Sequence, residues 1–424
     1  MKNKINVLVC PSDRTGVGFY RSINPHLTLE KNYPNEFMVH VDYEPQLNND
    51  EWLKQYDIIH YHRTLGPYEQ MPALLNRLKT LGIVTIMDLD DHWSPGKHHP
   101  AYYMIKANKL DKMILDNIKI AENVTTTTTL FADEIRKYND SVYVLANAID
   151  PTEKQFTPNL EPSNGRLRIG WLGGSSHLKD LEILKGVVGR LKSDGLLDKV
   201  QFVLCGFDTR GTHTEIDQNT GEQRTRAIKP MESVWYQYEK IFTDDYKTVS
   251  QEYKDFLMKF IPNSEFENVA NEPYRRVWTK PISTYASNYN LFDVSLAPLE
   301  ENIFNKVKSQ LKVIEAGFHH KAIIAQNFGP YKIDLKNAIK FGGGFEEDGN
   351  GILIDTTKNH KDWYSSIKKL IQNPDVVKQL QENLHNTIKD TYSLDKVTEQ
   401  RRNLYLNLLG IKDYKITKKE KATA

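Results

Sequence analysis

Short apolar runs recur along this chain, separated by stretches with helical periodicity. Residues 5–10 (INVLVC), 37–41 (FMVHV), 57–61 (DIIHY), 83–89 (IVTIMDL), 124–128 and 142–146 (VYVLA) read as strands. Helical patterns at 71–81, 101–121 and 130–138 fall between them, the first closed by Gly82. Continuous apolar runs are what a strand buried on both faces requires. Strands alternating with helices predict a parallel, doubly wound sheet.

Residues 147–165, polar and rich in Pro and Asn, interrupt this rhythm and mark a domain boundary. It then restarts with strand 167–172 (LRIGWL), a glycine turn, helix 178–191 and strand 200–205 (VQFVLC). Residues 207–280 break it again and read as an insertion, with a polar loop at 208–228 and an aromatic helical stretch at 235–260. Strands at 292–297, 321–326 and 351–354 resume it, and helices at 360–372, 374–390 and 395–409 follow. The expected organisation is a first α/β domain over 1–150 and a linker over 151–165. A second α/β domain covers 166–394, with its insertion at about 207–280. A helix at 395–412 returns to the first domain, and 413–424 forms a disordered basic end.

The stretch 297–317 (APLEENIFNKVKSQLKVIEAG) concentrates the candidate chemistry. It leaves a buried strand at Pro298 and predicts one helix carrying Lys308, Lys312 and Glu315 at i, i+4 and i+7. At about 100° per residue these three share a narrow polar face. Val307, Leu311, Ile314 and Phe318 form a neighbouring apolar stripe, expected against a sheet. Two ammonium groups near a helix N-terminus suit a diphosphate, and a carboxylate two turns on suits vicinal hydroxyls. A solvated face with a Lys–Glu pair accounts for the same periodicity.

Polar groups also gather at other strand exits. Gly16 and Gly18 follow the first strand, and Gly173, Gly174, Ser175 and Ser176 follow strand 167–172; both turns permit close approach of an anion to the backbone. His62 and Arg63 end the third strand, and Asp90, Asp91 and His92 end the fourth. His62 is a candidate to orient a hydroxyl or phosphate, and Asp90 and Asp91 to bind acceptor hydroxyls or a cation. No further ligand set accompanies the aspartates at a spacing that favours a metal.

Composition narrows the choice of partner. With 56 Lys plus Arg against 55 Asp plus Glu in 424 residues, the formal charge is +1, which favours neither nucleic acid nor a membrane surface. Two cysteines, Cys10 and Cys205, lie in apolar runs and read as reduced thiols of a cytoplasmic protein. No run reaches the roughly 20 apolar residues of a membrane span, and no signal peptide is seen.

Several segments together resemble the GT-B glycosyltransferases, particularly the large retaining family 4 group. They are GVGFYR (16–21), DIIHYH (57–62), VTTTTTLFADEI (124–135), VLANAID (144–150), IGWLGGSSH (169–177), VQFVLCGF (200–207), LAPLEENIFNKVKSQLKVIEAG (296–317) and AIIAQNFGPY (322–331). The resemblance implies two Rossmann-like domains facing a central cleft. It implies transfer of a hexose from a UDP- or GDP-linked donor to a glycan or lipid-linked acceptor, with retention and without a metal or other cofactor. Peripheral membrane contact through a lipid-linked acceptor is compatible with it. In that reading Glu315 binds the nucleotide ribose, and Lys308, Ser309 and Lys312 contact phosphates. Gly16, Gly18, Gly173 and Gly174 approach the donor, and His62 and Asp91 are the candidate catalytic groups.

Two departures stand out. The family often carries a Glu eight residues before the position of Glu315, where this chain has Val307. It often has His-Asp where this chain has Met87-Asp88. A GT-B scaffold that binds without catalysing is the alternative these departures raise. A DNA-modifying glucosyltransferase is a further use of the fold, disfavoured by the near-neutral charge.

Overall fold

The computed structural model describes residues 4–216, 223–261, 266–340, 342–355 and 360–411. The basic carboxy-terminal end lies outside the described residues.

The first sheet is built from β1 (Ile5–Cys10), β2 (Phe37–Val41), β3 (Ile58–His62), β4 (Val84–Leu89), β5 (Asn123–Thr126) and β6 (Val142–Val144), in the order β2-β1-β3-β4-β5-β6. Every pairing is parallel. Both faces are covered: Val7, Val9, Ile58 and Ile86 point into one apolar layer, Leu8, Cys10, Ile59 and Met87 into the other. Two-sided burial is why β1 appears in the sequence as a nearly continuous apolar run, whereas the edge strand β2 leaves Met38 and His40 exposed.

The second sheet repeats the design with β7 (Leu167–Leu172) and β8 (Val200–Phe207). A two-stranded hairpin, β9 (Thr212–Ile216) and β10 (Gln223–Ala227), stands apart from it. The sheet is completed by β11 (Tyr274–Trp278), β12 (Val294–Ala297), β13 (Ala322–Gln326) and β14 (Ile352–Ile354). Its order is β11-β8-β7-β12-β13-β14, again all parallel. In each sheet the strand order reverses beside the domain's first strand, at β1/β3 and β7/β12. The crevice outside the carboxyl ends at such a point is where open α/β sheets bind ligands.

Several expectations need correction, the helix at 178–191 among them, since it is two helices, Leu178–Glu182 and Val187–Ser193. Residues 207–280 are not an insertion as a whole. Only the hairpin departs from the domain: β11 is an edge strand of the sheet, and helix Val234–Thr243 buries Trp235, Tyr236, Tyr238 and Phe242 in the core. Glu239 on that helix is fully buried because Arg276 of β11 forks onto it at 2.5 and 2.7 Å.

The helix expected across 298–317 is two helices, Ile303–Lys306 and Leu311–Phe318, joined by a turn. The turn sends Val307 into the apolar cluster of the first domain and Gln310 onto the Tyr392 hydroxyl at 2.9 Å. A continuous helix would hold Val307 on the stripe facing its own sheet. Lys308 therefore sits in the turn, not on the helix of Lys312 and Glu315. Likewise 101–121 is two helices, Tyr102–Ala107 and Leu110–Ile120, parted at Lys109, whose φ is 54°.

The chain crosses between domains twice, side by side. Ile149 N donates to Tyr392 O at 3.0 Å and Leu394 N to Ile149 O at 2.7 Å. Helix Leu394–Leu408 then packs on the first domain, its Leu404, Tyr405 and Leu406 joining Ile5, Val7 and Leu29.

Candidate active site

The carboxyl edges of the two sheets face each other across a cleft of ≈ 940 Å³. From the first domain it is lined by Arg14, Gly16, Tyr20, Arg21, Asp90, Asp91 and Asn147. From the second it is lined by Gly173, Gly174, His177, Lys280, Lys308, Ser309, Lys312 and Glu315.

After β1, Asp13 accepts from Thr15 N at 2.7 Å and Gly18 N at 3.2 Å, tying the loop to the π turn Gly18–Ile23 that leads into helix Asn24–Asn32. A Cβ on Gly18 would lie 2.0 Å from the Asp13 carbonyl oxygen, so only glycine fits. The structure thus brings Gly16 to the cleft wall and places Gly18 beneath it. Arg21, on the same turn, is buried and forks onto Asp88 at 2.7 and 3.0 Å. Burial works against the Asp88 carboxylate. Arg21 overrides it and holds the carboxyl at about 2. Asp88 is therefore the counter-ion of a cleft arginine.

His62 does not line the cleft. Its Nε2 lies 2.9 Å from Asp90 Oδ1, which also takes Arg63 at 3.3 Å. These partners outweigh burial and keep Asp90 well below the ordinary carboxylate range. Asp91 beside it is pushed up, first by burial and then by the Asp90 charge. Asp91 faces the cleft with no hydrogen-bond partner among the described residues. Two adjacent carboxylates are thus driven apart, one fixed as an anion and the other made more basic.

Across the cleft, Gly173 packs so that a Cβ would strike the Trp171 ring at 2.5 Å, while the space above Gly174 is open. His177 Nδ1 lies 2.6 Å from Asp180 Oδ2. Burial and Lys308 lower His177 to about 4, so the ring is neutral near pH 7. With Nδ1–H given to Asp180, its Nε2 is left as an acceptor. Asp180 also accepts from Glu300 N at 2.7 Å and Asn305 Nδ2 at 3.1 Å, which anchors the loop leading to Lys308. His177 stands directly before helix Leu178–Glu182. Its i+3 spacing to Asp180 was the available signal.

Lys308 lies 5.0 Å from the Phe304 ring centroid and Lys312 5.1 Å from that of Trp171. Neither has an acidic partner within ion-pair distance among the described residues. Lys312 donates to the Leu172 carbonyl at the end of β7. Burial lowers it to about 8, against the pull of Glu315. Glu315 is buried one turn on. Its Oε1 accepts from the hydroxyls of Tyr20, at 2.9 Å, and Tyr285; its Oε2 accepts from Tyr289 at 2.9 Å. Burial raises the Glu315 carboxyl, and the tyrosine hydrogen bonds offset this only in part. None of the three tyrosines was singled out from sequence.

Val307, at the position where the family often has a glutamate, is 1% exposed and packs in the first domain's core. Among the described residues no group of three or more His, Cys, Asp or Glu is arranged to hold a metal, and no helix is long and apolar enough to cross a membrane.

No family model and no curated protein sequence matches this chain. Solved structures do. A glycosyltransferase from Rickettsia africae matches with a TM-score of 0.57 at 14% identity, over 97% of this chain and 100% of that one. A UDP-forming α,α-trehalose-phosphate synthase from Burkholderia vietnamiensis matches with a TM-score of 0.57 at 8% identity, over 98% and 99%. Anabaena HepE in complex with UDP and glucose matches with a TM-score of 0.54 at 12% identity, over 96% and 100%. The likeness is one of fold: two Rossmann-like domains with their strand ends facing one cleft, the GT-B arrangement.

Proposed function

We propose that this chain is a glycosyltransferase that moves a hexosyl group from a UDP-linked donor to a hydroxyl of a glycan or lipid-linked acceptor. The observation that carries this reading is Lys308, Ser309, Lys312 and Glu315 converging on one switch-point crevice, opposite the Gly16 loop. A nucleoside diphosphate presents the matching chemistry in the same order: two phosphates, then a ribose diol. HepE, of like fold, was crystallised with UDP and glucose, which favours uridine over guanosine.

In this reading Lys308 and Lys312 meet the diphosphate, with the first turn of helix Leu311–Phe318 behind them. Their charge matters most as the sugar–phosphate bond breaks and negative charge builds on the leaving oxygen. Fixed cations in a partly desolvated cleft stabilise that charge without reorganising, so no metal is required of the protein. Glu315 already accepts from hydroxyl donors only, and ribose hydroxyls would take over from tyrosine hydroxyls. Asp91, raised and without a hydrogen-bond partner among the described residues, would accept the proton of the acceptor hydroxyl, with Asp90 and His62 holding the strand exit behind it. The proposed retention of anomeric configuration rests on the motif resemblance and requires the acceptor to attack from the face that UDP leaves; back-side attack with Asp91 as base would invert, and NMR of the first product formed reads out which occurs.

The experiment is turnover of UDP-glucose by the wild type and Asp91→Asn. Loss of a general base lowers kcat by about 10²–10⁴ and leaves donor affinity in place. An unchanged kcat would remove Asp91 from the mechanism. The burial of Val307 favours a second reading, a GT-B scaffold that binds a nucleotide without catalysis. Release of UDP from UDP-glucose that depends on Lys312 would exclude it.

A further inference from the structure

Asn147 stands at the crossing between domains, almost fully buried, and its side-chain amide touches both. Oδ1 lies 3.1 Å from Arg21 Nη1 in the first domain, and Nδ2 lies 3.1 Å from Ser309 Oγ in the second. The orientation of this amide is dictated by chemistry. A guanidinium nitrogen only donates, so the atom facing it must be the carbonyl oxygen. Arg21 cannot turn away, because Asp88 holds its Nε and Nη2 and the Leu145 carbonyl, at 2.6 Å, takes the other N–H of Nη1. The amide nitrogen therefore faces Ser309, and an amide nitrogen also only donates. Ser309 Oγ must accept. Its own hydroxyl proton then has to go elsewhere, and among the described residues the structure gives it no acceptor. Ser309 lines the cleft.

We propose that Asn147 is a positioning residue that commits Ser309 to donate its hydroxyl proton into the cleft, so that Ser309 reads an anionic oxygen of the ligand. The inference rests on the donor-binding reading above and assigns the oxygen to the diphosphate. A chain of fixed polarity runs from Asp88 through Arg21 and Asn147 to Ser309. It crosses the domain boundary, so the hydroxyl is aimed only when the two domains are packed as here.

The test is a double-mutant cycle with Asn147→Asp and Ser309→Ala in the full chain, binding UDP and uridine by calorimetry. The carboxylate introduced by Asn147→Asp keeps the shape of the amide but presents an acceptor to Ser309, which would turn its proton away from the cleft. Ser309→Ala is expected to weaken UDP binding roughly 10- to 100-fold, the scale of one hydrogen bond to a charged group. Uridine, which carries no phosphate, should bind as before. Asn147→Asp should weaken UDP binding in the Ser309 protein by about tenfold more than in the Ser309→Ala protein. Equal losses in both backgrounds would mean that the new carboxylate acts by charge alone and would overturn the proposal. Unchanged UDP binding by Ser309→Ala would overturn it too. If Asn147→Asp does not fold, Asn147→Ala serves the same cycle: its loss must vanish once Ser309 is alanine. A wild type that binds no nucleoside diphosphate would remove the donor-site reading itself. A wild type that binds UDP with an additive cycle would remove only this inference.

Discussion

The Tyr20 hydroxyl, carried by the first domain, donates to Glu315 Oε1 in the second at 2.9 Å, across 295 residues of sequence. With Tyr285 and Tyr289 it closes the carboxylate inside a ring of hydroxyls. Glu315 therefore holds the domains together as well as serving as a candidate ligand group. Glu315→Ala leaves the buried Tyr289 hydroxyl without its acceptor, while Tyr20 and Tyr285 keep each other, and should cost about 1–3 kcal/mol, read by urea denaturation. Glu315→Gln keeps one acceptor oxygen and should cost roughly a third of that. Both should lose UDP affinity. Equal stability of the two variants would show that the tyrosines do not depend on the carboxylate.

Arg21 and Asp88 form the buried ion pair behind the cleft, and their linkage has a definite sign. Asp88 falls from an ordinary 3.8 to about 2 on folding. Its contribution is present above pH 3.8 and is lost as pH falls toward 2. Asp88→Asn should remove that part of the acid limb. It should also cost about 3–5 kcal/mol at pH 7, because Arg21 keeps its charge without a counter-ion. Denaturation curves from about pH 7 down to roughly pH 2.5 check both effects. An acid limb unchanged in Asp88→Asn would contradict the pairing.

Lys312 makes nucleotide binding pH-dependent. In the free protein it is lowered to about 8, and an arriving diphosphate favours its charged form. Affinity for UDP should hold below about pH 8 and fall as pH rises through it, with proton uptake on binding visible as a buffer-dependent calorimetric enthalpy. Lys312→Arg, charged throughout, should flatten the profile. A flat profile in the wild type would place Lys312 away from the phosphates.

The inner strand β1 was legible in the sequence for a simple reason: it is covered on both faces, so its residues are apolar almost without interruption. β11, reading Tyr-Arg-Arg-Val-Trp, was not. Arg276 is tolerated there only because Glu239 meets it from a helix 37 residues earlier, and no local pattern records that pairing. The single helix expected across 298–317 failed for the same kind of reason. The periodicity was satisfied, but Val307 is claimed by the other domain. Lys308, Lys312 and Glu315 were picked out because charge stands beside an apolar stripe after a strand end, and Ser309 by the motif resemblance; the structure brings all four to the cleft. His62 was picked out by its place at a strand exit, yet it reaches the cleft only through Asp90. The tyrosine ring around Glu315 and the amide of Asn147 join groups far apart in sequence and had no local signature.

The measurement that bears most directly on the central claim is thermal unfolding of the wild type and Lys312→Met in the presence of UDP, GDP and ADP. The account predicts that UDP stabilises the wild type, by about 2.7 kcal/mol at roughly 100 times its dissociation constant, and that Lys312→Met loses most of that gain. Stabilisation by none of the three, or equal stabilisation of both proteins, would contradict it.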